Sequence, residues 1–308
     1  MRIGFIGTGF MGAWMALNVR KAGYDLVVHD LRTEAAVDVL AAGAHWADSV
    51  AGVGSAADVV FTSLPGPKEM TAVGIGEGGL LASMRTGSAW FDLTTNAPTT
   101  VREVGAAFAA RGIALLDAPV SGGPTGAKSG KLALYIGGER PAFEANRDVL
   151  AAIGDQAMYV GPIGAGTVAK LAHNCSSFII RLAIAEVFAL GVKAGVEPLA
   201  LWHALRQGAI GRRRTFDGLG DQFLVNRYDP PAFALRLAHK DMTLATDLAR
   251  ELRVPMRFAD LAYDEMTEAM NRGWGELDSR SPMQLELERA GVSIEETLEA
   301  VRRTFAQG

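Results

Sequence analysis

Cysteine is almost absent from this chain. Its 308 residues include one, Cys175, which excludes an intrachain disulfide framework and any zinc site built on several thiolates. A dominant charge is missing too: 30 Lys+Arg face 34 Asp+Glu, a net −4, so nothing electrostatic points to nucleic acid or an anionic membrane. No uninterrupted apolar run approaches the roughly 20 residues of a bilayer span. The nearest, Ser177–Ile180, stops at Arg181. The opening stretch Met1–Gly7 leaves no room for the charged and apolar regions of a cleaved signal before turn residues intervene. These absences predict a cytoplasmic protein with no metal, no membrane and no nucleic-acid partner.

What is present is a chain of 49% hydrophobic residues, long enough for two domains with sizeable cores. The first half alternates short β-rich runs with helical stretches. Strands are predicted at Ile3–Ile6, Leu26–His29, Val59–Leu64, Ala89–Leu93, Ile113–Asp117, Leu132–Ile136 and Met158–Val160. The first four are nearly continuous apolar runs, which suits strands buried on both faces of a parallel sheet. Helical stretches at Ala13–Ala22, Glu34–Ala42 and Thr100–Ala110 lie between them, implying right-handed βαβ units and a doubly wound α/β domain. After Gly164 the texture changes. Val168–Lys193 is Ala-rich with apolar residues at helical spacing, about 40 Å if wholly helical. Beyond it lie helices broken by glycines and by Pro230-Pro231, without strand patterns. The predicted organisation is therefore an N-terminal domain over 1–163, then an all-α domain over 164–308 that includes the long joining helix and serves substrate binding and oligomerisation.

Gly7-Thr8-Gly9-Phe10-Met11-Gly12 fits the dinucleotide fingerprint G-x-G-x-x-G. It follows a strand and opens a helix, and the acid Asp30 lies 18 residues beyond Gly12, near the expected spacing of about 20. Gly7 permits the tight turn, Gly9 lets backbone approach a pyrophosphate, and Gly12 allows close helix–sheet packing. A carboxylate at Asp30 accepts hydrogen bonds from ribose hydroxyls and repels a 2′-phosphate, which favours NAD; Arg32, able to pair with that phosphate, keeps NADP open.

Four motifs together resemble the β-hydroxyacid dehydrogenases, the family of 3-hydroxyisobutyrate dehydrogenase and tartronate semialdehyde reductase. They are Gly4–Gly12 with Met15, Ala16 and Asn18; Asp117-Ala118-Pro119-Val120-Ser121-Gly122-Gly123; Gly164–Asn174; and Phe233–Asp241. They occur in the family's order across most of the chain. Thr8, where the family usually has Leu, and Trp14, where a small residue or Pro is usual, are departures near the diphosphate turn; they remove no backbone donor. The resemblance implies a Rossmann-type first domain, a homodimer or homotetramer, and hydride exchange between NAD(P) and a small 3-hydroxy acid or its semialdehyde. An imine reductase of the same architecture, generally lacking the lysine, is the nearest alternative; a non-catalytic dinucleotide binder is another.

By that resemblance Lys170 transfers the hydroxyl proton and Asn174, four residues on and so on the same helix face, orients substrate and lysine. An ammonium with a pKa of about 10.4 is a poor base at neutral pH, so its surroundings must lower that value; the flanking Val168, Ala169, Leu171 and Ala172 suit this. Ser121, Gly122 and Gly123, in a loop after a strand end, suit a substrate carboxylate through backbone N–H groups and a hydroxyl. The resemblance places Leu64, Pro65 and Thr95 against the dinucleotide and brings Lys240 near both cofactor and substrate. Spacing alone also allows Thr94 and Thr95 to be helix N-caps. His173 reads as packing, Cys175 as a buried small apolar residue, and Arg212-Arg213-Arg214 as a solvated basic loop or a contact for a second anionic group on the substrate.

Overall fold

The computed structural model describes residues 1–306 except 213, 216 and 292; the side chains of residues 181, 182, 237, 240, 241, 244, 248, 251 and 305 also lie outside the described set. The chain divides into two compact units, Met1–Ser176 and Ser177–Gly308.

The first unit is built on one mixed sheet, nine-stranded among the described residues. Its strands are β1 (Arg2–Ile6), β2 (Asp25–His29), β3 (His45–Trp46), β4 (Val59–Thr62), β5 (Ala89–Asp92), β6 (Ala114–Asp117), β7 (Val120–Ser121), β8 (Ala133–Gly137) and β9 (Gln156–Gly161). Their order is β3-β2-β1-β4-β5-β6-β8-β7, with β9 also paired to β8. The strands from β3 to β6 run parallel, whereas β8 is antiparallel to β6 and β7. This is the Rossmann order, and its crevice opens where the chain reverses direction between β1 and β4.

Register explains the apolar runs. Phe5, Phe61 and Phe91 are cross-strand partners, with ring centroids 6.2 and 5.4 Å apart, and they fill one face. Val60 and Trp90 fill the other, where Trp90 meets Phe108 of the Pro98–Ala109 helix at 4.8 Å. Strands covered on both faces have no position left for a polar alternation.

Several boundaries differ from expectation. Strands β3 and β7 have two residues each, too few for a sequence pattern to register. The stretch Glu34–Ala42 splits into a 3₁₀ turn, Thr33–Ala36, and a short helix, Val37–Ala41. The predicted Ser121–Gly123 loop is instead the end of β7 followed by the Gly123–Ser129 helix. Trp14 packs with the core on the Gly12–Lys21 helix, with Lys128 Nζ 5.0 Å from its ring, so it bears on helix packing.

The long helix runs from Ala165 to Lys193, starting before the predicted Val168. The division between compact units falls inside it, after Ser176. By length and composition this helix could cross a membrane, which amends the expectation drawn from uninterrupted runs. Scattered charges break the run without lowering the average hydropathy enough. One such charge has a tertiary role: the Glu186 carboxylate accepts hydrogen bonds from the backbone N–H groups of Phe258 (3.0 Å) and Ala259 (3.4 Å). It thereby satisfies orphan donors in the first turn of the Arg257–Asn271 helix.

The second unit is helical, with Pro198–Gln207, Leu235–Leu252, Arg257–Asn271, Met283–Ala290 and Leu298–Ala306 following the long helix. Leu235, Ala269 and Leu285 form a small core with Met266, Met270 and Trp274. Buried Asp278 pins the chain before Leu235 by accepting hydrogen bonds from Ala232 N (2.8 Å) and Phe233 N (3.3 Å) and pairing with Arg280 (2.8 Å).

Candidate active site

The first turn after β1 fits a dinucleotide diphosphate. Gly7 has φ +89°, and a Cβ on Gly12 would lie 1.9 Å from the Gly7 carbonyl oxygen, while a Cβ on Gly9 would meet nothing within 4 Å. The turn is thus tight against its own helix and open on the side a ligand approaches. The Asp30 carboxylate braces it, accepting from Thr8 N at 2.8 Å and Arg32 N at 3.0 Å. A pocket of about 460 Å³ lies over this turn. Gly7, Gly9, Phe10, Met11, Gly12, Asp30, Arg32, Leu64 and Pro65 all line it. Thr8 and Thr95 do not: Thr8 is buried beneath the turn, and Thr95 is exposed beyond β5. His29, Leu31, Ser63 and Glu69 line the pocket without having been singled out. The signal for His29 and Ser63 was topological, since both sit at carboxyl ends of β2 and β4 beside the switch point.

The start of the Gly164–Asn174 motif is anchored by Asp117, the last residue of β6. Its buried carboxylate accepts hydrogen bonds from Gly164 N (2.7 Å) and Thr167 N (2.6 Å), supplying from a distant strand the N-cap that the long helix lacks in its own sequence. Gly166 completes the joint, because a Cβ there would lie 2.1 Å from the Tyr135 carbonyl oxygen of β8. Ser121 pairs with Ala133 of the same strand. The substrate-motif serine and the start of the lysine-bearing helix are therefore both fastened to β8.

Lys170 lies one turn into that helix and is 8% exposed. No carboxylate pairs with it among the described residues, and burial lowers its pKa below that of a free lysine. Asn174 is half-buried, and its Oδ1 lies 3.2 Å from His173 Nδ1. His173, which the sequence suggested as packing, also meets the Tyr135 ring at 5.9 Å. Cys175 is exposed, contrary to expectation. Neither threonine candidate caps a helix. Thr94 bonds Asp92, and the next helix begins at Pro98 after Ala97. Arg212 and Arg214 are exposed, Arg213 lies outside the described residues, and Lys240 falls within the Leu235–Leu252 helix with its side chain outside the described set.

The fold and this turn define a dinucleotide-binding protein of the Rossmann class. Residues 2–161 match the NAD-binding domain of 6-phosphogluconate dehydrogenase, and residues 164–286 match the NAD-binding domain of NADP-dependent 3-hydroxyisobutyrate dehydrogenase. The chain is 36% identical to the NAD-dependent L-serine dehydrogenase of Pseudomonas aeruginosa, covering 90% of this chain and 95% of that one. It is 31% identical to the 2-(hydroxymethyl)glutarate dehydrogenase of Eubacterium barkeri over 96% and 97%. The Mycobacterium tuberculosis 3-hydroxyisobutyrate dehydrogenase structure aligns with a TM-score of 0.64 at 28% identity, over 92% of this chain and 99% of that one. An imine reductase from Myxococcus stipitatus aligns at 0.75 with 20% identity, over 92% and 99%, a likeness of fold alone. This chain belongs to the β-hydroxyacid dehydrogenase family; it is an NAD(P)-dependent hydroxyacid dehydrogenase.

Proposed function

We propose that the substrate is a small 3-hydroxy acid, or its semialdehyde in reverse, that Lys170 is the general acid/base, and that NAD is preferred over NADP. The observation that carries this reading is the buried Lys170 in the matching motif, with no carboxylate paired to it among the described residues. When bound, the nicotinamide exchanges a hydride with the carbinol carbon. During oxidation Lys170 Nζ takes the hydroxyl proton, and during reduction it returns it. Ser121, Gly122 and Gly123 offer a hydroxyl and backbone N–H groups to the carboxylate. Asn174 presents its amide to the substrate without adding a competing charge, and Lys240 is retained as a substrate and cofactor residue. Gly7 to Gly12 hold the diphosphate, and Leu64, Pro65 and Thr95 lie against the dinucleotide. Turnover with NAD⁺ and NADP⁺ on 3-hydroxyisobutyrate, glycerate, serine, threonate and a sulfonate analogue tests the substrate class; silence on all of them rules it out.

Cofactor preference rests on Asp30. Two of its roughly four lone-pair positions serve backbone N–H groups, leaving the others for ribose hydroxyls. Asp30→Ala should raise KM for NAD⁺ about tenfold or more, as expected for losing a hydrogen bond to a charged group, and should narrow the discrimination against NADP⁺. An unchanged NAD⁺/NADP⁺ ratio of kcat/KM contradicts the assignment.

We also infer a homo-oligomer, dimer or tetramer, on the ground that Ile184, Val187, Val192, Leu199 and Trp202 are exposed on helices of the second unit; the cytoplasmic location stands on the sequence alone. Solvent-facing apolar patches of this kind mark association surfaces. Sedimentation should report an oligomer for the parent chain and a smaller species for Ile184→Glu/Leu199→Glu; a parent that sediments as a monomer refutes it.

A further inference from the structure

Asp92 ends β5, is wholly buried, and has no part in the proton transfer described above. Its neighbours all present donors. The Thr62 hydroxyl accepts from Trp90 Nε1 (2.9 Å) and donates to Asp92 Oδ1 (2.7 Å). The Thr94 hydroxyl accepts from Leu64 N (3.0 Å) and donates to the same oxygen (2.6 Å). Asn96 Nδ2 donates to Oδ2 at 3.1 Å, while its own Oδ1 is taken by Ala97 N. Burial raises the Asp92 pKa, opposed by the bonds from Thr94, Thr62 and Asn96. The donors show which form the site is built around. Neither hydroxyl hydrogen has another acceptor among the described residues, and a protonated carboxyl would find none for its own hydrogen. Every side-chain donor named around Asp92 is thus set for the carboxylate form, and no Lys or Arg pairs with it among the described residues.

This carboxylate lies under the segments that follow β4 and β5, through its bonds to Thr94 and Asn96 and, by way of Thr94, to Leu64. Ligands of open α/β sheets bind at such strand ends. The oxidised nicotinamide ring carries a positive charge that the reduced ring lacks. We propose that the Asp92 carboxylate selects the redox state of the cofactor, its uncompensated buried charge favouring the oxidised nicotinamide over the reduced one. The inference rests on the proposed contact of Thr95 with the dinucleotide and takes the nicotinamide to cross there, at the end of β5. Asp92 touches neither cofactor nor substrate; it acts through its field, which a buried setting screens far less than water does.

The test is calorimetric binding of NAD⁺ and NADH to the whole chain without substrate. Asp92→Asn keeps an oxygen for both threonine hydroxyls and removes the charge. The ratio Kd(NADH)/Kd(NAD⁺) should fall about tenfold from the parent value, the scale expected for one unit charge acting over several ångströms at an intermediate dielectric. A purely structural role weakens both forms alike, and an unchanged ratio overturns the proposal. Should the amide conflict with Asn96 Nδ2 and prevent folding, Asp92→Ser is neutral, spares that clash, and carries the same expectation. Thr95→Trp checks the placement separately. If both affinities survive that substitution, the nicotinamide does not cross there and the proposal falls with the placement, whatever Asp92→Asn does.

Discussion

A Lys170→Ala enzyme is expected to turn over about 10²–10⁴-fold more slowly, the span usual for removing a positioned general acid/base, with NAD⁺ affinity unchanged. The proposed cofactor contacts, the Gly7–Gly12 turn and Asp30, do not involve Lys170. The pH dependence follows from desolvation, the cause that lowers the Lys170 pKa. Oxidation needs the neutral amine, so kcat/KM should be full above that lowered pKa and decline as pH falls through it. Reduction needs the ammonium and should lose rate as pH rises through the same value. The two midpoints should coincide and lie below the 10.5 of an unperturbed lysine. Matching profiles for parent and Lys170→Ala, or undiminished turnover in the variant, would remove the lysine from the mechanism.

Asp117→Ala is expected to cost about 2–6 kcal/mol, since it strands two buried N–H groups, Gly164 and Thr167, at about 1–3 kcal/mol each. With roughly 2–4 °C lost per kcal/mol in a unit of this size, a mid-range loss lowers the melting transition by about 8–16 °C. Activity should fall further than stability explains, because the start of the Lys170 helix loses its attachment to β6. A core truncation of similar cost, Leu134→Ala on β8, leaves that attachment in place and serves as the comparison. Equal specific activities in the two folded variants contradict a positioning role for Asp117. Asp117→Asn, which keeps one acceptor oxygen, should fall between alanine and the parent.

Local chemistry explains why some residues were legible in advance and others were not. The Gly7–Gly12 turn, the Asp30 acid and the paired Lys170 and Asn174 follow from neighbours within one turn of helix or one βα unit. Asp92 and Asp117 carry no comparable local signal. Each ends an apolar strand and draws on a distant partner: Thr62, 30 residues away, joins the nearby Thr94 and Asn96 at Asp92, and Thr167 is 50 residues from Asp117. The Asn174–His173 contact was hidden differently. Adjacent helical residues diverge by about 100°, so spacing argued against a bond that the side chains nevertheless make. Cys175 was misread because an apolar segment suggests burial all round, whereas this helix leaves part of its surface to solvent.

By itself, the order of residues determined the alternation of strand and helix, the dinucleotide turn and the motif set of the family, since these depend on periodicity and on steric rules acting over a few residues. Tertiary structure decided which carboxylates became buried braces, where the long helix begins, and that Lys170 loses its hydration without gaining a counter-charge among the described residues. Those outcomes depend on strands brought together from distant parts of the chain. The free energy of a buried charge is set by what surrounds it in space, which no local pattern encodes.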